Sequence, residues 1–248
     1  MRRKSKAILC GFLEKSCAIL YPRRCPVCMQ IATPRGSLVH RECTKKLLYI
    51  REPACKRCGR QIARMEKEYC SECAKKEFHY TRGYAVWQYE ANIQHSLSEF
   101  KYHSRKEFAD FYAAEAVRLY GDKIRYEKPE VLIPVPVHRT RRAERGFNQA
   151  ELLAKKMGQM LEIPVDAHFL LRTKHTGRLK DLNRRERAKM LKDAFSVDPS
   201  RKVSYHSVML VDDIYTTGST VDSCAAVLLR AGAQKVTVFS MAVGASIN

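Results

Sequence analysis

Thirteen consecutive positions, residues 208–220, read V-M-L-V-D-D-I-Y-T-T-G-S-T: four apolar residues, two carboxylates and a run of hydroxyls around one glycine. An apolar strand of this kind delivers Asp212 and Asp213 to its C-terminal end, where open α/β sheets bind their ligands. Thr216, Thr217, Gly218, Ser219 and Thr220 then offer successive backbone N–H groups and hydroxyls. Such a loop cradles a phosphate, and the helix that follows adds the partial positive charge of its N-terminus. Gly218 leaves room for close approach or for a backbone angle that a side chain would forbid. The paired carboxylates suit ribose hydroxyls, gripped directly or through Mg²⁺.

A second stretch, residues 133–149, reads I-P-V-P-V-H-R-T-R-R-A-E-R-G-F-N-Q and runs from an apolar segment into a helical pattern. Arg139 and Arg145 are the guanidiniums that could grip a phosphorylated ligand, because the arginine fork matches pairs of phosphate oxygens. A solvated basic turn is the alternative for either of them.

Seven of the ten cysteines fall between Cys25 and Cys73. Cys25-x2-Cys28-x11-His40-x2-Cys43 recurs 30 residues later as Cys55-x2-Cys58-x11-Cys70-x2-Cys73. Tetrahedral Zn²⁺ needs four N or S donors, and each knuckle supplies two, so two structural zinc ions are expected. Imidazole is an acceptable donor, and His40 stands in phase with Cys70 of the repeat. The spacing leaves two pairings open, one zinc per repeat or an interleaved arrangement. Close cysteine pairs of this kind suit metal rather than disulfides, and so a reducing, cytoplasmic setting. Cys10, Cys17 and Cys224 lie outside the repeat and are read as buried thiols.

These groups need elements to hold them. Residues 8–20 have nearly helical apolar spacing. Tyr84, Val86 and Trp87 read as a strand, and residues 93–102 and 108–120 as helices. From about Val131 short apolar runs alternate with helical periodicity: residues 131–137, a helix over 147–161, a strand within 163–171, the strand 208–211, a helix over 221–231 closed by Gly232, and a last strand over 236–243. That alternation indicates a parallel α/β sheet. Residues 174–192 are polar and very basic.

The chain has 248 residues and a formal charge of +20; residues 1–80 carry 19 basic and 7 acidic side chains, the remainder 27 and 19. So basic a surface attracts polyanions such as nucleic acid, phosphorylated metabolites or acidic membranes, or serves solubility alone. No stretch is long and apolar enough to span a bilayer, so an integral membrane protein is not expected.

The string at 208–220 resembles the signature of type I phosphoribosyltransferases at nearly every position, and the cysteine repeat resembles a double zinc ribbon. Ribbon, then V-P-V-x-x-R…E-R-G-F-N-Q, then V-D-D-I-Y-T-T-G-S-T, together with F-K-Y at 100–102 and L-N-R-R-E-R-A-K from Leu182, is similar to the ComF family of bacterial competence proteins. The resemblance covers residues 21–243. It implies a type I phosphoribosyltransferase fold, a twisted and mostly parallel sheet flanked by helices, preceded by the ribbon pair. The implied segments are an amphipathic helix at 1–20, the ribbons at 21–80, a linker and hood at 81–130, and the phosphoribosyltransferase domain at 131–248. It also makes the turn after residues 131–137 a pyrophosphate loop and residues 174–187 a flexible loop that closes over the site. Implied partners are phosphoribosyl pyrophosphate, single-stranded DNA and a competence helicase, in DNA uptake for natural transformation. Two departures stand out. His40 replaces a cysteine, and Thr216 stands where purine-salvage enzymes place a general-base aspartate. Threonine is no useful base near neutral pH, which disfavours a 6-oxopurine acceptor.

Two functions therefore remain. One is Mg²⁺-dependent phosphoribosyl transfer to an unknown acceptor, with Asp212 and Asp213 as the catalytic pair holding the ribose. The other is a non-catalytic module in which ribbons and basic loops hold DNA or a helicase and the pocket is a scaffold or sensor. Interleaved aromatic and basic residues, the usual mark of single-strand binders, are sparse.

Overall fold

The computed structural model describes residues 22–173, 194–201 and 204–244. The helix expected at 8–20, the basic segment 174–192 and the motif from Leu182 lie outside the described residues. The chain divides into two compact units, Met1–Lys46 and Leu47–Asn248.

In the first unit the chain doubles back through a bridge between Arg24 and Ile31. A one-turn helix, α1 (Arg41–Thr44), follows and carries Cys43. Among its described residues the unit has little apolar material, so a metal would supply much of the folding energy there.

The second unit opens with the same device: a bridge between Ala54 and Gln61, then α2 (Ser71–Ala74) carrying Cys73. After it come β1 (Arg82–Gln88), α3 (Ala91–Tyr102), α4 (Phe108–Glu127), β2 (Val131–Pro134), α5 (Arg139–Arg145) and α6 (Gln149–Leu161). Two three-residue strands, β3 (Leu170–Arg172) and β4 (Phe195–Val197), pair antiparallel. The chain ends in β5 (Ser207–Tyr215), α7 (Ser219–Arg230) and β6 (Lys235–Val243).

The main sheet has the order β1-β6-β5-β2, and every pairing is parallel. The apolar runs 208–211 and 236–243 make this possible, since a parallel strand is covered on both faces and needs no polar alternation. Alternate residues Val131 and Ile133, Val208 and Leu210, and Val236 and Val238 join Val221, Ala225 and Leu228 of α7 in one buried cluster. Their neighbours face the other way, as the strand period of two requires. There Phe239 meets the Tyr120 ring of α4 at 6.1 Å, and α6 lies along β2 and β5.

Two features differ from the sequence expectation. The sheet reaches back beyond Val131 to Arg82, because β1 pairs with the last strand, β6. The boundary between compact units also falls between the two halves of the cysteine repeat. Cys55, Cys58, Cys70 and Cys73 share the buried cluster of the sheet, together with Tyr80, Tyr215 and Val243. The fit is close: a Cβ on Gly59 would stand 2.5 Å from the backbone nitrogen of Ala85 in β1.

Candidate functional site

The metal donors come together as the spacing within each repeat predicts. Cys25, Cys28, His40 and Cys43 form one group and Cys55, Cys58, Cys70 and Cys73 another, with the donor atoms of each group all within 4.8 Å of one another. Two sulfurs on tetrahedral zinc, with bonds of about 2.3 Å, stand roughly 3.8 Å apart. Cys58 Sγ and Cys70 Sγ are 3.8 Å apart. His40 Nδ1 lies 3.3 Å from Cys28 Sγ and 3.9 Å from Cys43 Sγ, while Nε2 is 3.0 Å from the carbonyl oxygen of Ile31. Donation from Nε2–H to that carbonyl leaves Nδ1 as the lone-pair nitrogen, which is how outer hydrogen bonds fix a ligating histidine. Both donor sets fit zinc, one per repeat.

The acidic pair lies in β5 itself. Asp212 and Asp213 line a cavity of about 520 Å³ with Thr216, Thr220, Lys101, Arg145 and Arg172. Lys101, near the end of α3, places its Nζ 2.5 Å from Asp213 Oδ2, with both side chains about five-sixths buried. Burial acts to raise the Asp213 carboxyl, but the Lys101 ammonium outweighs it and, with Arg145 nearby, holds the group below its ordinary range. Burial and then the Asp213 carboxylate push Asp212 up to about 8. The pair therefore holds one negative charge and one proton near neutral pH.

Arg145 also lines the cavity. It donates to Gln149 Oε1 at 3.0 Å and to the Tyr102 hydroxyl at 3.3 Å, and its guanidinium lies over the Tyr102 ring. Arg139 is exposed at the start of α5 and is not among the cavity residues; Arg141, two positions on, is. The expected pyrophosphate turn is largely helix, capped by His138, whose side chain accepts from Thr140 N, and ended by Gly146 in the left-handed region.

Thr216, Thr217 and Gly218 join β5 to α7, whose first residues are Ser219 and Thr220. Thr216 is exposed at the cavity, while Thr217 and Ser219 face each other with hydroxyls 3.0 Å apart. Gly218 has φ +78°, and a Cβ there would run into the Tyr215 hydroxyl and stand 3.1 Å from the Phe78 ring. Gly218→Ala is thus expected to cost more than about 1 kcal/mol, lowering the melting temperature by roughly 2–4 °C. An unchanged melting curve would show that the loop relaxes freely.

Lys101, Arg141 and Arg172 were not singled out from sequence. The triplet F-K-Y around Lys101 carried a resemblance but no role, and a lone arginine in β3 gives no local signal. Among the described residues no helix is long and apolar enough to cross a membrane.

Residues 16–74 match the double zinc ribbon domain family. The chain is 31% identical over 195 residues to competence protein F of Haemophilus influenzae, covering 77% of this chain and 84% of that protein. It is 28% identical to the DNA utilization protein YhgH of Salmonella typhimurium, over 94% of this chain and 96% of the relative. Competence protein ComFC of Bacillus subtilis is 27% identical, over 80% and 81%. A purine phosphoribosyltransferase of Pyrococcus horikoshii overlays with a TM-score of 0.33 at 17% identity, over 54% of this chain and 73% of the other, and at that score it says nothing about chemistry. Zinc-ribbon donors, parallel sheet and an identity of 31% across three-quarters of the sequence converge: the chain belongs to the ComF family of competence proteins.

Proposed function

We propose that the cavity at the end of β5 binds phosphoribosyl pyrophosphate with Mg²⁺, and that the protein serves the handling of incoming DNA in competence, as the names of its relatives suggest. The observation that carries the ligand is the Asp212–Asp213 pair, set in one cavity with Thr216, Thr220 and the four cationic side chains of Lys101, Arg141, Arg145 and Arg172. The carboxylates take the ribose hydroxyls, the loop 216–220 takes the 5′-phosphate, and Arg145 with Arg141 takes the pyrophosphate. Arg139, exposed at the start of α5, does not line the cavity. Mg²⁺ fits the donor set, because this ion is held by one or two carboxylates plus substrate phosphates, and Asp213 already draws a cation. When bound, it neutralises charge on the pyrophosphate.

The protein with phosphoribosyl pyrophosphate and Mg²⁺ is expected to melt several degrees higher, about 2.7 kcal/mol of stabilisation at a hundredfold excess over Kd. Asp212→Asn with Asp213→Asn is expected to abolish that shift. A shift that survives in the double variant, or none in the parent, ends the assignment.

Thr216 favours a second reading, in which the ligand is sensed and not consumed, since no carboxylate stands at that position. Pyrophosphate release across a panel of acceptors separates the two. Contact of the ribbons with single-stranded DNA or a helicase belongs to the same proposal, and DNA affinity unchanged by zinc removal would exclude the ribbons.

A further inference from the structure

The second cysteine tetrad and the loop after β5 touch. Tyr80, which follows the ribbon, and Tyr215, which ends β5, are 1% and 4% exposed, and their hydroxyls are 2.8 Å apart. Phe78 stacks at a tilt on Tyr80, 5.2 Å between centroids, and closes the space above Gly218. His79 N donates to Asp222 Oδ1 in the first turn of α7 at 2.7 Å. Arg60 Nε, within the ribbon, donates to the carbonyl of Gly244 at 2.8 Å, and Gly244 N donates to the carbonyl of Tyr215 at 2.9 Å. Between the cysteines Cys58 and Cys73 and the loop residues Thr216 and Thr217 there is a void of only about 10 Å³. That is at most one water, so the ribbon is the wall on which the loop rests.

A zinc site is stiff because its ligands cannot move without breaking coordination. Loops, in contrast, open locally at little cost unless buried contacts hold them. The loop's own bonds are the Thr217–Ser219 hydroxyl pair, a 3.5 Å contact from Ser219 N to Thr217 Oγ1, Ser223 Oγ donating to the Ser219 carbonyl, and Asp222 N donating to the Gly218 carbonyl at 2.9 Å. No side chain caps α7.

We infer that zinc in the second tetrad sets the conformation of loop 215–219, with Tyr80 and Phe78 as the positioning residues that transmit it. The coupling is reciprocal, since two groups that stabilise each other do so by the same factor in either direction. It concerns the loop's own conformation and holds whatever ligand the loop takes, so it stands or falls separately from phosphoribosyl pyrophosphate.

The test is amide hydrogen exchange over residues 215–220 in the full chain, without ligand, with zinc content measured alongside. Tyr80→Phe strips Tyr215 of its partner and is expected to speed exchange in the loop about tenfold while two zinc ions are retained. Phe78→Ala is expected to do the same by opening the space over Gly218. Cys25→Ser with Cys28→Ser, which removes one zinc from the first tetrad, is expected to leave loop exchange unchanged. In that background one zinc remains, and adding Tyr215→Phe is expected to speed its loss to a chelator about tenfold. Loop exchange unmoved by both Tyr80→Phe and Phe78→Ala overturns the inference. So does equal loosening by loss of the first tetrad, or zinc release indifferent to Tyr215→Phe.

Discussion

Replacing Cys55 and Cys58 together by serine is expected to abolish cooperative melting of the whole Leu47–Asn248 unit, whereas the same change at Cys25 and Cys28 leaves that transition within about 2 °C of its parent position. The asymmetry follows from burial. All four cysteines of the second tetrad are buried and lie in the same cluster as Val221, Leu228 and Val243. Structural zinc contributes about 10–16 kcal/mol of apparent binding free energy in small zinc domains, against a total domain stability of about 5–15 kcal/mol. Losing a knuckle there also leaves polar hydroxyls in an apolar cluster. The His40 contacts, in contrast, run to Cys28, Cys43 and Ile31, all inside the first unit. Calorimetry with zinc quantitation checks both variants. A cooperative transition in the Cys55, Cys58 variant would mean that the core closes without its metal.

Binding of phosphoribosyl pyrophosphate with Mg²⁺ is expected to strengthen about tenfold per pH unit between roughly 6 and 8, and to level off above. Asp212 carries its proton up to about 8 because it is buried beside the Asp213 carboxylate. Asp213 is held low by Lys101 despite its burial, and so adds no proton in that window. A ligand that brings a divalent cation favours both carboxylates ionised, so below 8 it must expel one proton. The sign for the ligand-free fold is the reverse of the usual carboxylate case. Below about 4 both folded and unfolded states hold the proton and the site costs nothing; from about 4 to 8 only the folded state holds it, and stability declines as pH rises. Titration calorimetry at pH 7 in two buffers of different ionisation enthalpy reads the released proton directly. Zero protons, or uptake, would sink the assignment of the shared proton to this pair.

The tetrads were legible because metal coordination imposes a spacing that survives in a linear string. The acidic loop was legible for a similar reason: strand, carboxylates and hydroxyls are contiguous, so local order is also spatial order. Lys101 was not, because its meaning arises only when α3 folds over the end of β5. The helix α5 was read as a turn since none of its seven residues is buried and no apolar period marks it. Of the apolar run within 163–171, only Leu170 and Leu171 enter a named strand; Val165 makes an isolated bridge to Leu132. The embedding of the second ribbon in the sheet's core was hidden because cysteine looks the same in a string whether its knuckle is solvated or buried. Gly59 and Gly83 are the local traces of it, each too close to a neighbouring backbone to carry a side chain.

The strand order has a consequence for how the chain is made. β6 lies between β1 and β5, so the edge of β1 that faces β6 stays unpaired until β6 arrives, while the preceding segment already bridges β1 through Tyr49 and Trp87. Roughly 150 residues separate β1 from β6, which at about 5–20 residues per second is on the order of 10–30 s of synthesis. For that interval the nascent chain displays an unsatisfied strand edge, Arg82–Gln88, with five successive residues destined for burial. The knuckles emerge just ahead of it and can take up metal at once. Metal supply and protection of that edge, rather than the rate of any local step, would then govern the yield of native protein from the ribosome.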